Sequence, residues 1–156
     1  MRYDCSQLRR QDRQLSESEA LALLRDGEYG ILSIQSEDGA YGVPVNYALV
    51  GETIYLHCAT EGRKLQLIER NPQVSFCVVG QVSLLSEQFT TNFQSVILSG
   101  QAERVFEEQE RRKALQSIVM KYSPEHLAEG YRIIDELIDR VAVVAVRIDR
   151  FSGKSK

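Results

Sequence analysis

At 156 residues the chain is long enough for one domain that buries about two-thirds of its unfolded surface. Its 43% hydrophobic and 26% charged residues are ordinary for a globular protein. Nineteen Lys and Arg against 22 Asp and Glu leave a net charge of −3, so there is no global attraction to nucleic-acid backbones or anionic lipid. Basic residues gather only at Arg2, Arg9, Arg10 and Arg13, within a polar leader over residues 1–14 that is expected to be a partly ordered tail ahead of a single domain spanning 15–154. The first twenty residues hold no apolar signal core, and no run of 18 apolar residues occurs, so neither export nor membrane spanning is expected. Cys5, Cys58 and Cys77 are odd in number and lack C-x-x-C spacing, which argues against a disulfide framework and a zinc site and points to a reducing cytoplasm.

Ser16-Glu17-Ser18-Glu19 has the form of a capping box ahead of Ala20, Leu21, Leu23 and Leu24, with Gly27 placed to end the helix. Gly30–Ser36 reads as a strand, Glu37-Asp38-Gly39 as its turn, and Tyr41–Val50 as a second extended segment broken at Pro44. Gly51-Glu52 is another tight turn, leading to the strand Thr53–Cys58. Links this short demand an antiparallel meander. A short helix over Arg63–Asn71 stops at Asn71-Pro72. Strands follow over Val74–Val82 and, after a polar loop, over about Asn92–Val105. In Glu107–Tyr122 the residues Leu115, Ile118, Val119 and Tyr122 fall on one helical face. Ser123-Pro124-Glu125 opens a further helix. The last strand, Val141–Ile148, is apolar on both faces and is expected to be central or to lie at a subunit contact. Six strands with helices at the edges indicate an α+β fold built on a closed or nearly closed antiparallel barrel.

Chemistry concentrates at the end of the third strand, in His57-Cys58-Ala59-Thr60-Glu61-Gly62-Arg63-Lys64. A glycine, a helix start and two cations favour an anion, through free N–H groups, the helix dipole and the charges themselves. The bland alternative is that Arg63 and Lys64 solvate a first helical turn, although cations are mildly disfavoured there. Neither a dinucleotide-binding G-x-G-x-x-G nor a P-loop is present. His57 is a lone strand histidine, structural or catalytic; His126 is remote in sequence and is expected on the surface, so no metal site is expected. In Gly42-Val43-Pro44-Val45-Asn46-Tyr47, Pro44 marks an edge or bulge where backbone groups are free to face a ligand. Ser95 and Gly100 offer a hydroxyl and a close backbone approach.

Together these segments resemble the flavin-nucleotide-binding split barrels related to pyridoxamine phosphate oxidase, and within them the Nim-type nitroimidazole-resistance proteins. The resemblance runs from about Arg9 to Lys154 and is carried by Arg10-Gln11-Asp12-Arg13, Gly30-Ile31-Leu32-Ser33, the Gly42–Tyr47 and Ile54–Lys64 segments, Asn71–Phe76, Thr91–Val96, Lys121-Tyr122-Ser123-Pro124 and Ser152-Gly153-Lys154. It implies a six-stranded split barrel and a homodimer with flavin, FMN or FAD, in clefts between subunits. Arg63 and Lys64, beside Gly62, would take the phosphate with Ser95 assisting, while Val45 and Asn46 would lie along the ring. His57 would stand near the flavin or the substrate as the candidate catalytic residue. The implied reaction is reduction of a nitro group by electrons delivered through the flavin. Phe93 departs from the pattern, since relatives often carry Tyr there. The alternative function is a flavin-binding carrier or sensor without turnover. An oligonucleotide-binding barrel is opposed by the net charge and the sparse basic–aromatic interleaving.

Overall fold

The computed structural model describes all 156 residues, Met1–Lys156. In chain order the elements are β1 (Arg2–Tyr3), α1 (Glu17–Asp26), β2 (Gly30–Ser36), β3 (Gly39–Val45), β4 (Ala48–Val50), β5 (Thr53–Cys58), α2 (Arg63–Arg70), β6 (Gln73–Leu85), β7 (Thr90–Val105), α3 (Glu108–Tyr122), α4 (Leu127–Leu137) and β8 (Ala142–Ser155). The fold is α+β, as expected. One sheet runs β3-β2-β6-β7-β8-β5-β4, with β1 added to β8 in parallel and every other ladder antiparallel. It curls around a core but does not close: β3 and β4 are its two edges, although only Asn46 and Tyr47 separate them in the chain.

Eight strands therefore replace the six expected. The segment Tyr41–Val50 divides at Asn46-Tyr47 because the Tyr47 side chain turns inward, fully buried, and its hydroxyl donates to Leu24 O at 2.6 Å. The turns are as short as their glycines imply, with Gly39 and Gly51 at φ 112° and 61°. The capping box of α1 is formed, Ser16 and Glu19 serving one another's backbone N–H.

Alternation along each strand sorts the side chains. Leu32, Ile34, Ile54, Leu56, Val74, Phe76, Val78, Val96 and Leu98 fill the barrel with Val144 and Val146 of β8. The opposite face of β8 presents Val143 and Ala145 to a smaller cluster with Ala114 and Leu115 of α3 and Ile134 of α4. This explains the doubly apolar last strand: it is central, between β7 and β5, and the chain itself covers both of its faces, so its pattern marks no subunit contact. It also runs on to Ser155, well beyond Ile148, as the partner of β7.

The leader differs most from expectation. Residues 1–14 lie along β8 rather than forming a tail. Arg2 and Tyr3 pair with Arg150 and Phe151, the Tyr3 and Phe151 rings stand 5.1 Å apart, and Cys5 is buried with its thiol directed at Gly153 O. The Tyr3 hydroxyl also donates to Leu15 O. Polar composition concealed this, because few of its side chains are apolar and the docking relies on Met1, Tyr3 and Cys5 together with backbone pairing to β8. No helix is long and apolar enough to cross a membrane.

Truncating Tyr3 to Ala removes that ring contact and leaves Leu15 O without its donor. We expect a loss of about 2 kcal/mol in chemical denaturation; a change below about 0.5 kcal/mol would mean that the leader is detached in solution.

Candidate functional site

The N-termini of α2 and α4 both lack a side-chain cap, but only α2 also lacks an acidic residue in its first turn. α1 is capped by Ser16 and α3 by Glu107, whose carboxylate accepts from the Gln109 and Glu110 N–H groups. α2 begins instead at Gly62, which has no side chain to cap with, and its first turn holds no acidic residue. Its first amides are left for solvent or a ligand. Gly62 sits at φ 135°, a conformation that side chains rarely adopt, and a Cβ there would meet nothing within 4 Å, so the approach is open. An uncapped helix start carrying two cations where the dipole favours anions fits a phosphate.

The two cations diverge. Arg63 lies over the Tyr41 ring at 4.9 Å and reaches Ser36 Oγ at 3.3 Å and Asp38 Oδ2 at 3.4 Å, beside the β2–β3 turn. Those contacts are exposed and long, so they hold the guanidinium only loosely. Lys64, half-buried, makes none of these contacts, and its charge bears instead on His57 and Cys58 at the end of β5.

His57 projects outward from β5 with Tyr55, while Leu56 and Cys58 face the barrel, as the alternation predicts. It lines a cavity of about 440 Å³ between β5, α3 and α4, whose walls include Leu115, Ile118, Val119, Ile133 and Ile134. Gly130 lets α4 lie close to α3, since a Cβ there would fall 2.4 Å from Val119 Cγ1. Although His57 as a whole is exposed, partial burial of its ring and then the Lys64 charge pull the imidazole below its ordinary pKa. Burial likewise pushes the Cys58 thiol up, against the pull of Lys64 and Arg104.

His126 lines the same cavity. Nearly seventy positions separate the two histidines, and only the antiparallel packing of α3 and α4 brings His126 back to β5; no local spacing could have revealed it. The cavity holds no grouping of three or more metal-ligating side chains.

Val45 and Asn46 lie at the far end of β3. Tyr41 is packed by Arg63, and Val45 is four residues on, about 13 Å at strand rise. Asn46 is exposed and makes no backbone hydrogen bond within the chain, so its N–H and C=O are free to meet a polar ligand. Pro44 sits on this edge strand, where its missing N–H costs no ladder bond.

Ser95 is not brought to this site. It lies on the outward face of β7, opposite Val79 and Lys154, whereas Gly100, five residues on, is the β7 residue level with Val74 and Ile34. Five residues of strand are about 17 Å, so within one chain Ser95 and Arg63 are far apart.

A model of the family described as pyridoxamine 5'-phosphate oxidase matches residues 16–155. The chain belongs to that family. Among solved structures, the fold matches a proposed 5-nitroimidazole antibiotic resistance protein from Bacteroides thetaiotaomicron at 22% identity and a TM-score of 0.74, covering 91% of this chain and 86% of that one. A conserved hypothetical protein from Mycobacterium tuberculosis gives 21% identity and a TM-score of 0.80 over 94% and 88% of the two chains. An FAD-binding protein from Mesorhizobium loti gives 21% and 0.66 over 92% and 97%. No curated protein sequence matches the chain.

Lys64→Ala removes one of the two causes that depress His57, so its imidazole midpoint, followed by NMR, should begin below the usual 6.5 and rise in the variant. Because the unfolded chain binds the proton more readily, the contribution of His57 to stability is complete above about pH 6.5 and is lost as pH falls through the folded midpoint. An unchanged midpoint would separate Lys64 from His57.

Proposed function

We propose that this protein is an FMN-binding flavoprotein of the oxidoreductase type, acting as a homodimer on a small molecule, with a nitro-group reduction as its model activity. FAD is the alternative cofactor; a Mesorhizobium loti structural neighbour is described as FAD-binding and one from Azotobacter vinelandii as a flavocytochrome. The observation that carries the proposal is the uncapped, doubly cationic start of α2 beside an edge strand whose last residues keep their backbone groups free.

In this assignment the α2 amides, Arg63 and Lys64 hold the phosphate, and Arg63 exchanges its loose contacts with Asp38 and Ser36 for it. Val45 packs along the ring, and Asn46 offers a donor and an acceptor to the polar edge of the pyrimidine. The flavin, when bound, supplies the electron transfer, and the protein supplies position and local charge. His57, whose imidazole is pulled toward its neutral form and which lines an apolar cavity, can accept or donate a hydrogen bond to a substrate whose body fills that cavity.

The homodimer is supported by the outward face of the sheet. There Ile31, Val79 and Ile97 are 37%, 44% and 53% exposed around Ser95 and Cys77, an apolar patch that a second copy would cover. Such a copy could also carry its Ser95 to the phosphate that the same chain's Ser95 does not reach. A flavin carrier or sensor without turnover is the second reading. It is favoured by the chemistry around His57, where the one charge that perturbs the ring is a lysine rather than an orienting carboxylate.

The purified protein, saturated with FMN, is expected to show a bound flavin spectrum. Arg63→Ala with Lys64→Ala should weaken binding at least tenfold while leaving the melting temperature of the apo form within a few degrees. A colourless protein that ignores added FMN sinks the cofactor assignment, and unchanged affinity in the double variant removes the phosphate from α2. Reoxidation of the reduced holoprotein by a nitroaromatic no faster than by buffer would favour the carrier.

A further inference from the structure

The corner between β3 and β4 is held by the last two residues of α3. Tyr122 Oη accepts the Tyr47 N–H at 3.0 Å and lies 2.7 Å from Glu28 O and 3.1 Å from Tyr47 O. Its single proton serves one of those carbonyls at a time, and the shorter distance favours Glu28. The hydroxyl thus ties the corner to the segment that follows α1.

Lys121 acts on the other side of the same residue. Its Nζ is 3.7 Å from the centre of the Tyr47 ring and 5.3 Å from that of Tyr122, closed off from solvent and without a hydrogen-bond partner. An ammonium buried without an acceptor is costly, and the ring faces are what offset the cost. Burial lowers its pKa to about 8 against the pull of Asp26. An arrangement this costly is hard to explain as a surface lysine left over from the helix.

What these contacts fix is Asn46. Its neighbour Val45 is the last ladder residue of β3, Ala48 the first of β4, and Asn46 itself has no backbone partner. The Asn46 C=O shares a peptide plane with the Tyr47 N–H and takes its direction from Tyr47, while the Asn46 N–H belongs to the peptide that leaves β3 at Val45; Tyr47 is set by Tyr122, Lys121 and the bond to Leu24 O.

We propose that Tyr122, assisted by Lys121, is a positioning residue that holds the Val45–Asn46–Tyr47 corner in the geometry required by the flavin ring. This role rests on the flavin-binding function proposed above. Neither side chain touches the ring; both act through Tyr47.

The test compares wild type, Tyr122→Phe and Lys121→Met for FMN affinity, visible spectrum, midpoint potential and apo melting temperature. Tyr122→Phe keeps the ring and deletes only the hydroxyl. It should lower the apo melting temperature by a few degrees, weaken FMN about tenfold, and move the flavin absorption band and potential. Lys121→Met should shift FMN affinity, absorption band and potential in the same direction by less, without lowering the apo melting temperature, because it removes a buried unpartnered ammonium. A folded Tyr122→Phe protein with wild-type affinity, spectrum and potential overturns the proposal. If that variant does not fold, Lys121→Met decides, and unchanged flavin properties there overturn it equally. Wild type that binds no flavin overturns the functional assignment and the positioning role with it, whereas flavin bound alike by wild type and variants overturns positioning alone.

Discussion

The sheet ends in two edge strands, β3 and β4, that follow each other in the chain, and Tyr47 prevents them from either closing a ladder or splaying apart. Its ring is fully buried, edge-on to Phe76 at 5.0 Å, and its hydroxyl bonds to α1. A large side chain driven into the core at this point forces the backbone to turn, and the turn is what splits the barrel. The apolar burial and hydrogen bonds of one residue thus join α1, α3 and both edges. Open edges are a liability unless covered or blunted. Here β4 is covered by α3, and β3 carries Pro44 together with the free groups of Asn46. The gap in the barrel and the unpaired backbone beside it have one physical cause.

A second constraint fixes where the helical layer sits. β8 is apolar on both faces because it lies inside the barrel wall, with the core on one side and the α3–α4 pair on the other. Val143 and Ala145 are small enough for the helices to approach, and Arg111 reaches across to donate to the carbonyls of Ile138 and Val141, with Asp139 Oδ1 3.8 Å away. That anchors α3 to the segment entering β8. The same approach leaves a void where α4 diverges toward His126, which is the cavity that His57 faces.

Much of this was legible in the sequence because it is local. The capping box of α1, the two-residue turns at Glu37-Asp38 and Gly51-Glu52, the amphipathic face of α3 and the alternation of β5 each depend on neighbours a few residues away. The Gly62-Arg63-Lys64 signal was legible for the same reason. The split at Asn46-Tyr47 was not, since a tyrosine in a β-prone run carries no mark of facing inward. The convergence of His57 with His126, the docking of residues 1–14 and the separation of Ser95 from Arg63 depend on register across several strands. Composition and periodicity do not encode register between distant segments. The two-faced apolar pattern of β8 was read correctly as burial, but sequence could not say whether another chain or the same one supplied the cover.

The two cations of α2 also do different physical work, which follows from their divergence. Arg63 is partnered by Asp38 and Ser36 on an exposed turn and is available for exchange. Lys64 is half-buried, and its charge reaches His57 and Cys58. Lys64 is the lesser of the two causes that depress His57, after burial, so a phosphate seated on it would relieve only that part and raise the midpoint part of the way. By reciprocity, protonation of His57 would then be less unfavourable with the anion bound than without it. One lysine would thereby link occupancy of an anion site at the start of α2 to the protonation of an imidazole that lines the apolar cavity.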